Sequence, residues 1–264
     1  MNNYFDYKIE LDGICLKYSN SPKIEEREMH TYHEILYCDE REAVLHTENA
    51  RTKIQRKNIV IIPKGTYHLF DLSGASKFTR IKISLSDELL KALPISIFSD
   101  GVYAVSLSTH RCAPIMERLV AILCENEEEK NKFLLYSLVM LLLAELDASK
   151  LKNALSDSHS NNTLILSVVD YVTKNLSEDL SIPKIAKATN TSPSFLTHKF
   201  QKEVGISLHR YIVGKRMTRA RELIDSNERP TKIYTDCGFC DYSSFYKAYL
   251  SFFGTAPSKK KNSK

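Results

Sequence analysis

Two groups of residues have types and spacing that can do chemistry. Cys237 and Cys240, in "CGFC", form a C-x-x-C pair, which is one edge of a zinc site or a dithiol redox couple. The second group lies nearer the N-terminus. His30, His33 and Glu34 sit in "MHTYHEILYC", and His68 closes "PKGTYH". Three imidazoles and a carboxylate can ligate a divalent metal, or line a pocket for a polar ligand. Each group meets an objection. No second cysteine pair and no spaced histidine pair accompany the first, and Cys15, Cys38, Cys112 and Cys124 are scattered. Side chains alternate along a strand, so H-x-x-H puts His30 and His33 on opposite faces, away from a common metal. No metal and no cofactor are therefore expected. The paired cysteines read as a packing and a turn residue. His30, His33, Glu34 and His68 read as candidates for lining a pocket.

The elements that must position these residues fall into two parts. Up to about residue 108, "EILYC", "REAVLHT", "NIVIIP" and "FTRIKISL" are β-branched or aromatic runs of strand length, broken by turn residues. Many short strands predict a sandwich or small barrel. Ile115, Leu119, Ile122 and Leu123 recur at helical spacing and predict a helix over 114–124. A second helix is predicted over 132–151, with Phe133, Tyr136, Met140, Leu143 and Ala144 inward. Leu134, Leu138, Leu141 and Leu142 widen its apolar surface beyond one stripe, so they are candidates for dimerisation. Residues 152–163 read as a polar linker. From Asn161 onward there are 17 Lys and Arg against 9 Asp and Glu, a net +8, while the preceding residues carry −3. A basic helical module on a slightly acidic body suggests a polyanionic partner. "MNNYFDYKIELDG" has no signal-peptide pattern and "FLLYSLVMLLLA" is too short to span a bilayer, so a cytoplasmic location without membrane contact is expected.

The helical part contains a repeat. "IAKATNTSPSFLTHKFQKEVG" lies over "IYTDCGFCDYSSFYKAYLSFFG", with Ser192 on Asp241, Leu196 on Phe245, Phe200 on Tyr249 and Gly205 on Gly254. Each copy reads as a short helix, a turn at Asn190 or Gly238, a capping residue and a second amphipathic helix. These are the parts of a helix-turn-helix, expected over 182–205 and 230–254. "LHRYIVGKRMTRARELI" joins the copies as a basic helix that can hold two recognition helices for adjacent major grooves. In this frame Cys237 faces the small core between helices and Cys240 sits in the turn.

This arrangement resembles the AraC/XylS family of bacterial transcription regulators, on "IAKATNTSPSFLTHKFQKEVGISLHRYIVGKRMTRARELI" and "IYTDCGFCDYSSFYKAYLSFFGTAP". Two departures stand out. Tyr234 occupies the place of the small Ala186, which predicts a more open helix pair in the second copy, and "APSKKK" lacks the family's P-x-x-Y-R ending. The resemblance implies a multidomain α and β protein. A cupin-like β-barrel (1–110) binds a small effector, helices over 111–151 dimerise the chain, and a linker (152–163) leads to an all-α DNA-binding domain (164–264). It implies a non-enzyme that binds double-stranded DNA, more often an activator, contacting RNA polymerase and acting as a homodimer. His30, His33, Glu34 and His68 would then line the effector pocket; Pro63-x-Gly65-x-x-His68 is similar to part of a cupin motif.

Opposite the apolar stripes lie Ser194, Thr197, His198 and Gln201 in the first recognition helix, and Tyr242, Ser243, Tyr246 and Lys247 in the second. These are the base-facing candidates. The set is poor in arginine, the usual partner of guanine, which predicts an A/T-rich, loosely specified site. Lys199, Lys202, Lys215, Arg216 and Arg219, with Lys247, are phosphate candidates. Six neutralised phosphates predict a log–log salt slope near about −5. Two other readings stay open: a metal-dependent cupin enzyme with a nucleic-acid-binding tail, and a regulator that senses redox state through Cys237 and Cys240.

Overall fold

The computed structural model describes residues 6–19, 28–38, 43–48, 51–71, 80–99, 101–107, 111–124, 132–149 and 163–258. The expected linker lies outside the described residues, apart from Thr163, as does the lysine-rich tail from residue 259. The chain divides into two compact units. The first holds Met1–Glu28, Tyr32–His46 and Arg51–Ser158; the second holds His159–Lys264 with the short pieces Met29–Thr31 and Thr47–Ala50.

The first unit is built on two sheets. Strands β1 (Asp6–Leu11), β2 (Ile14–Ser19), β3 (His33–Cys38), β6 (Asn58–Ile62), β8 (Arg80–Leu85) and β9 (Tyr103–Ser106) form one sheet in the order β1-β2-β8-β3-β6-β9. Strands β4 (Ala43–Thr47), β5 (Arg51–Ile54) and β7 (His68–Asp71) form a second, ordered β5-β4-β7. Alternation gives the larger sheet two apolar faces. Leu16, Ile35, Ile61, Ile81 and Ile83 point one way, into a core shared with helices α2 (Cys112–Cys124) and α3 (Lys132–Ser149). Leu36, Cys38, Val60 and Ile62 point the other way and meet Ala43, Leu45, Ile54 and Phe70 of the small sheet. Both faces being buried is why β3 and β6 read as near-continuous apolar runs, whereas β8 alternates Ile81, Ile83 and Leu85 with buried Arg80, Lys82 and Ser84. A short helix, α1 (Asp87–Lys91), follows β8 and is capped by Ser86, whose Oγ accepts from the Leu89 N–H.

Helix α3 corrects the expected inward stripe. Leu135, Val139, Leu142, Leu143 and Leu146 are the buried residues, whereas Phe133 is 84% exposed and Ala144 also faces out. Leucine on every side of this helix removes the 3.6-residue contrast from which a stripe is read. Of the dimerisation candidates, Leu134 and Leu141 are exposed, Leu138 is half-buried, and Leu142 belongs to the core.

The second unit carries α4 (Thr163–Lys174), α5 (Ile182–Ala188), α6 (Pro193–Val204), α7 (Leu208–Asp225), α8 (Pro230–Ile233) and α9 (Tyr242–Phe253). Copy one is α5–turn–α6, and copy two is α8–turn–α9. Helices α6 and α9 each run for 12 residues. Ser192 Oγ accepts from the Phe195 N–H, and the Asp241 carboxylate accepts from the Ser244 N–H. Gly205 and Gly254 close the two helices in the left-handed region, at φ 81° and 68°. Helix α8 has 4 residues where α5 has 7. It stops before Tyr234, whose ring packs edge-on to Tyr242 at 6.2 Å. Among the described residues no helix is long and apolar enough to cross a membrane.

Candidate nucleic-acid interface and a buried polar cluster

The turn of copy two is held by glycine and arginine together. Gly238 has φ +76°, and a Cβ there would lie 2.2 Å from the Leu176 carbonyl oxygen and 2.6 Å from Arg216 Cζ. Arg216 reaches past this glycine. Its Nε donates to the Leu176 carbonyl at 3.1 Å and its Nη2 to the Glu178 carbonyl at 2.7 Å. The guanidinium also lies over the Phe239 ring. Asn190 takes the equivalent positive φ, 51°, in copy one.

Packing turns one face of each recognition helix inward. In α6 these are Leu196, Phe200 and Val204; in α9 they are Phe245 and Tyr249, with Phe252 half-buried. The outward faces carry Ser194, His198, Gln201 and Lys202 on α6, and Ser243, Tyr246 and Lys247 on α9, all exposed. Two of the expected base-facing residues sit otherwise. Thr197 is half-buried and its hydroxyl donates to the Pro193 and Ser194 carbonyls of its own helix. Tyr242 is half-buried among Tyr234, Phe245 and Tyr246. Sequence reasoning missed two outward residues, Phe195 and Leu250, which are 54% and 42% exposed. The 49-residue offset of the repeat places Leu250 over Gln201, and that offset was the signal for it.

The phosphate candidates separate by what already holds them. Lys202 and Lys247 are exposed. Lys199 pairs with Glu203 at 3.1 Å and Arg219 with Glu222 at 3.7 Å, along their own helices. Lys215 Nζ pairs with the buried Glu48 carboxylate at 2.8 Å. Arg216 is the bracket described above. Lys215 and Arg216 are thus engaged by groups of the protein itself. Among the cysteines, Cys237 is buried and its thiol is pushed up to about 12 by that burial, so it is a poor thiolate. Cys240 is exposed.

In the first unit, Glu34 and His68 face each other, with Nε2 and Oε1 3.7 Å apart. Lys82 Nζ pairs with Glu28 and lies 3.9 Å from Glu34. Tyr32 adjoins this group, its phenol held well above its ordinary value by burial and then by the Glu34 and Glu28 charges. His33, one residue before Glu34, goes the other way, with Nε2 3.2 Å from Asp87 and its ring 4.5 Å from Phe98. This is the opposite-face geometry that alternation requires. His30, Glu34 and His68 are all buried. The Lys82 ammonium beside Glu34 occupies the place of a counter-cation. Burial lowers the His68 pKa, but the facing Glu34 carboxylate outweighs it, and the net shift is upward. The folded value then lies above the unfolded one. The resulting stability is fully present below about pH 6.5 and is lost as pH rises through the folded value. The thermal midpoint of this unit is expected to fall as pH rises above about 6.5, and Glu34→Gln to flatten that fall. A midpoint rising with pH would contradict this assignment.

A family described as a helix-turn-helix domain matches residues 185–263. The Msm operon regulatory protein of Streptococcus mutans is 31% identical over 126 residues, covering 47% of this chain and 44% of that protein. The multiple antibiotic resistance protein MarA of Escherichia coli is 29% identical over 106 residues, covering 40% of this chain and 84% of that protein. The chain thus spans less than half the length of the Streptococcus relative. The crystal structure of ToxT from Vibrio cholerae aligns over 94% of this chain and 96% of that one, at 15% identity and a TM-score of 0.41. The matched residues cover α6, α7 and the whole second copy. Residues 185–263 thus carry an AraC-type helix-turn-helix domain, the part of the chain that these regulators share.

Proposed function

We propose that the chain is a one-component transcription regulator that binds duplex DNA through α6 and α9 and answers to a small effector held in the first unit. The observation that carries this reading is the duplication: two recognition helices of equal length, separately capped, each presenting a largely uncharged outward face. Ser194, His198, Gln201, Ser243, Tyr246 and Lys247 are the side chains aimed at base edges. Lys199, Lys202, Arg219 and Lys247 take phosphates. Four such contacts give a log–log salt slope of about −3.5. A measured slope shallower than about −2 would remove duplex binding as the function.

Glu34, His68, Lys82 and Tyr32 are the pocket side of the proposal, in a cupin-like unit. Effector occupancy shifts the population between DNA-competent and incompetent arrangements. Activation through RNA polymerase, a cytoplasmic location and a homodimer covering Phe133, Leu134 and Leu141 complete the reading. It makes the chain a non-enzyme. The test is selection of duplexes from a random pool by the purified full chain. Convergence on a motif with two half-sites supports the reading, and equal retention of random duplex and heparin overturns it. The redox alternative loses support from the buried, high-pKa Cys237. Mild oxidation is expected to leave DNA affinity within about twofold, in the full chain and in Cys240→Ser alike. A change above about tenfold that Cys240→Ser abolishes would restore redox sensing.

A further inference from the structure

Leu250 occupies a position that a soluble helix ordinarily fills with a polar residue. The repeat offset sets Ser243 over Ser194, Lys247 over His198 and Leu250 over Gln201. Copy one therefore ends its outward row with an amide, and copy two ends its row with an aliphatic side chain that is 42% exposed. Tyr246, 37% exposed, stands one turn before Leu250 on the same side of α9. Phe245 and Tyr249 already fill the inward face, so Leu250 has no role in the core of copy two. Among the described residues, seven large apolar side chains stay this exposed, and Phe195, Tyr246 and Leu250 are three of them, all on the recognition helices.

Resting on the DNA-binding reading above, we propose that Leu250, flanked by Tyr246, is a specificity-determining residue of copy two that selects thymine through its C5-methyl group. The major-groove edges of the four base pairs present donors, acceptors and a single apolar group, the thymine methyl. Leucine offers no hydrogen bond, so the methyl is the base-edge group it can favour. Cytosine at that place would bring its N4 amino group against leucine and leave a donor without an acceptor. The two half-sites are then read by different chemistry. Copy one uses His198 and Gln201 for hydrogen bonds, and copy two uses Leu250 and Tyr246 for apolar contact.

The test uses duplexes selected by the full chain, with each thymine replaced singly by deoxyuridine, which lacks only the methyl. One or two positions in the half-site read by copy two are expected to lose about fourfold in affinity, the value of one buried methyl. Leu250→Ala is expected to bind the thymine and uracil duplexes equally at those positions and to keep wild-type uracil sensitivity elsewhere. Leu250→Gln, which copies the residue of the first repeat, is expected to move preference there toward adenine. Because Leu250 is outside the core, both variants are expected to keep the wild-type circular dichroism and thermal midpoint. Indifference to uracil at every position overturns the thymine assignment alone. So does uracil sensitivity that Leu250→Ala leaves unchanged. Failure to enrich any duplex overturns the DNA-binding reading and this assignment together.

Discussion

Gly238→Ala is expected to destabilise the second unit by about 4 kcal/mol. Two effects add. A non-glycine residue in the left-handed region costs about 1–2 kcal/mol. The new Cβ must also clear a backbone carbonyl at 2.2 Å and the Arg216 guanidinium at 2.6 Å. The carbonyl belongs to the loop after α4 and cannot rotate away as a side-chain tip would. Displacing Arg216 breaks its bonds to the Leu176 and Glu178 carbonyls, and a hydrogen bond to a charged group is worth about 1.5–3 kcal/mol. For a domain of about 100 residues the loss corresponds to a drop in thermal midpoint of more than about 10 °C. Circular dichroism melting checks it. Arg216→Lys should reproduce part of the loss, because an ammonium cannot reach both carbonyls as the planar fork does. A midpoint within about 2 °C of wild type for Gly238→Ala would show that the turn is not held as described.

Glu34→Ala should cost about 3–5 kcal/mol in the first unit, the usual penalty for removing one partner from a buried ionic group. Glu34 is fully buried, with His68 and Lys82 facing it. Truncation leaves Lys82 with Glu28 alone among the carboxylates described here, and Glu28 is partly open to water. Urea denaturation of the full chain should show the first unit unfolding at lower denaturant, with the second unit unchanged. Glu34→Gln keeps the volume and one acceptor, so it should fall between the two. If Glu34→Ala loses less than about 1 kcal/mol, the cluster is not an ionic network.

The repeat was legible because both copies carry local punctuation. The side-chain caps Ser192 and Asp241 and the glycine ends Gly205 and Gly254 sit at matching offsets, and such signals act within a few residues of chain. The charge asymmetry was legible for the same reason. What escaped the sequence depends on contacts between distant residues. Arg216 looked like any other basic residue on α7 until the Leu176 and Glu178 carbonyls appeared beside it. Lys215 likewise pairs with Glu48, 167 residues away. Tyr242 was placed outward by helical phase alone, but Tyr234, made available by the short α8, draws it half inside. The apolar strands β3 and β6 and the isoleucine alternation of β8 were recognisable, whereas the charged strands β5 ("RTKI") and β7 ("HLFD") lacked such a signature.

The Arg216 bracket joins three places: the loop after α4, the helix between the copies, and the turn of copy two. On the proposed DNA-binding reading, this tie makes α6 and α9 meet a duplex as one stiff body. Any mismatch in groove spacing then has to be absorbed by curvature of the DNA. Base steps between the half-sites that bend easily would raise affinity without being touched by any side chain.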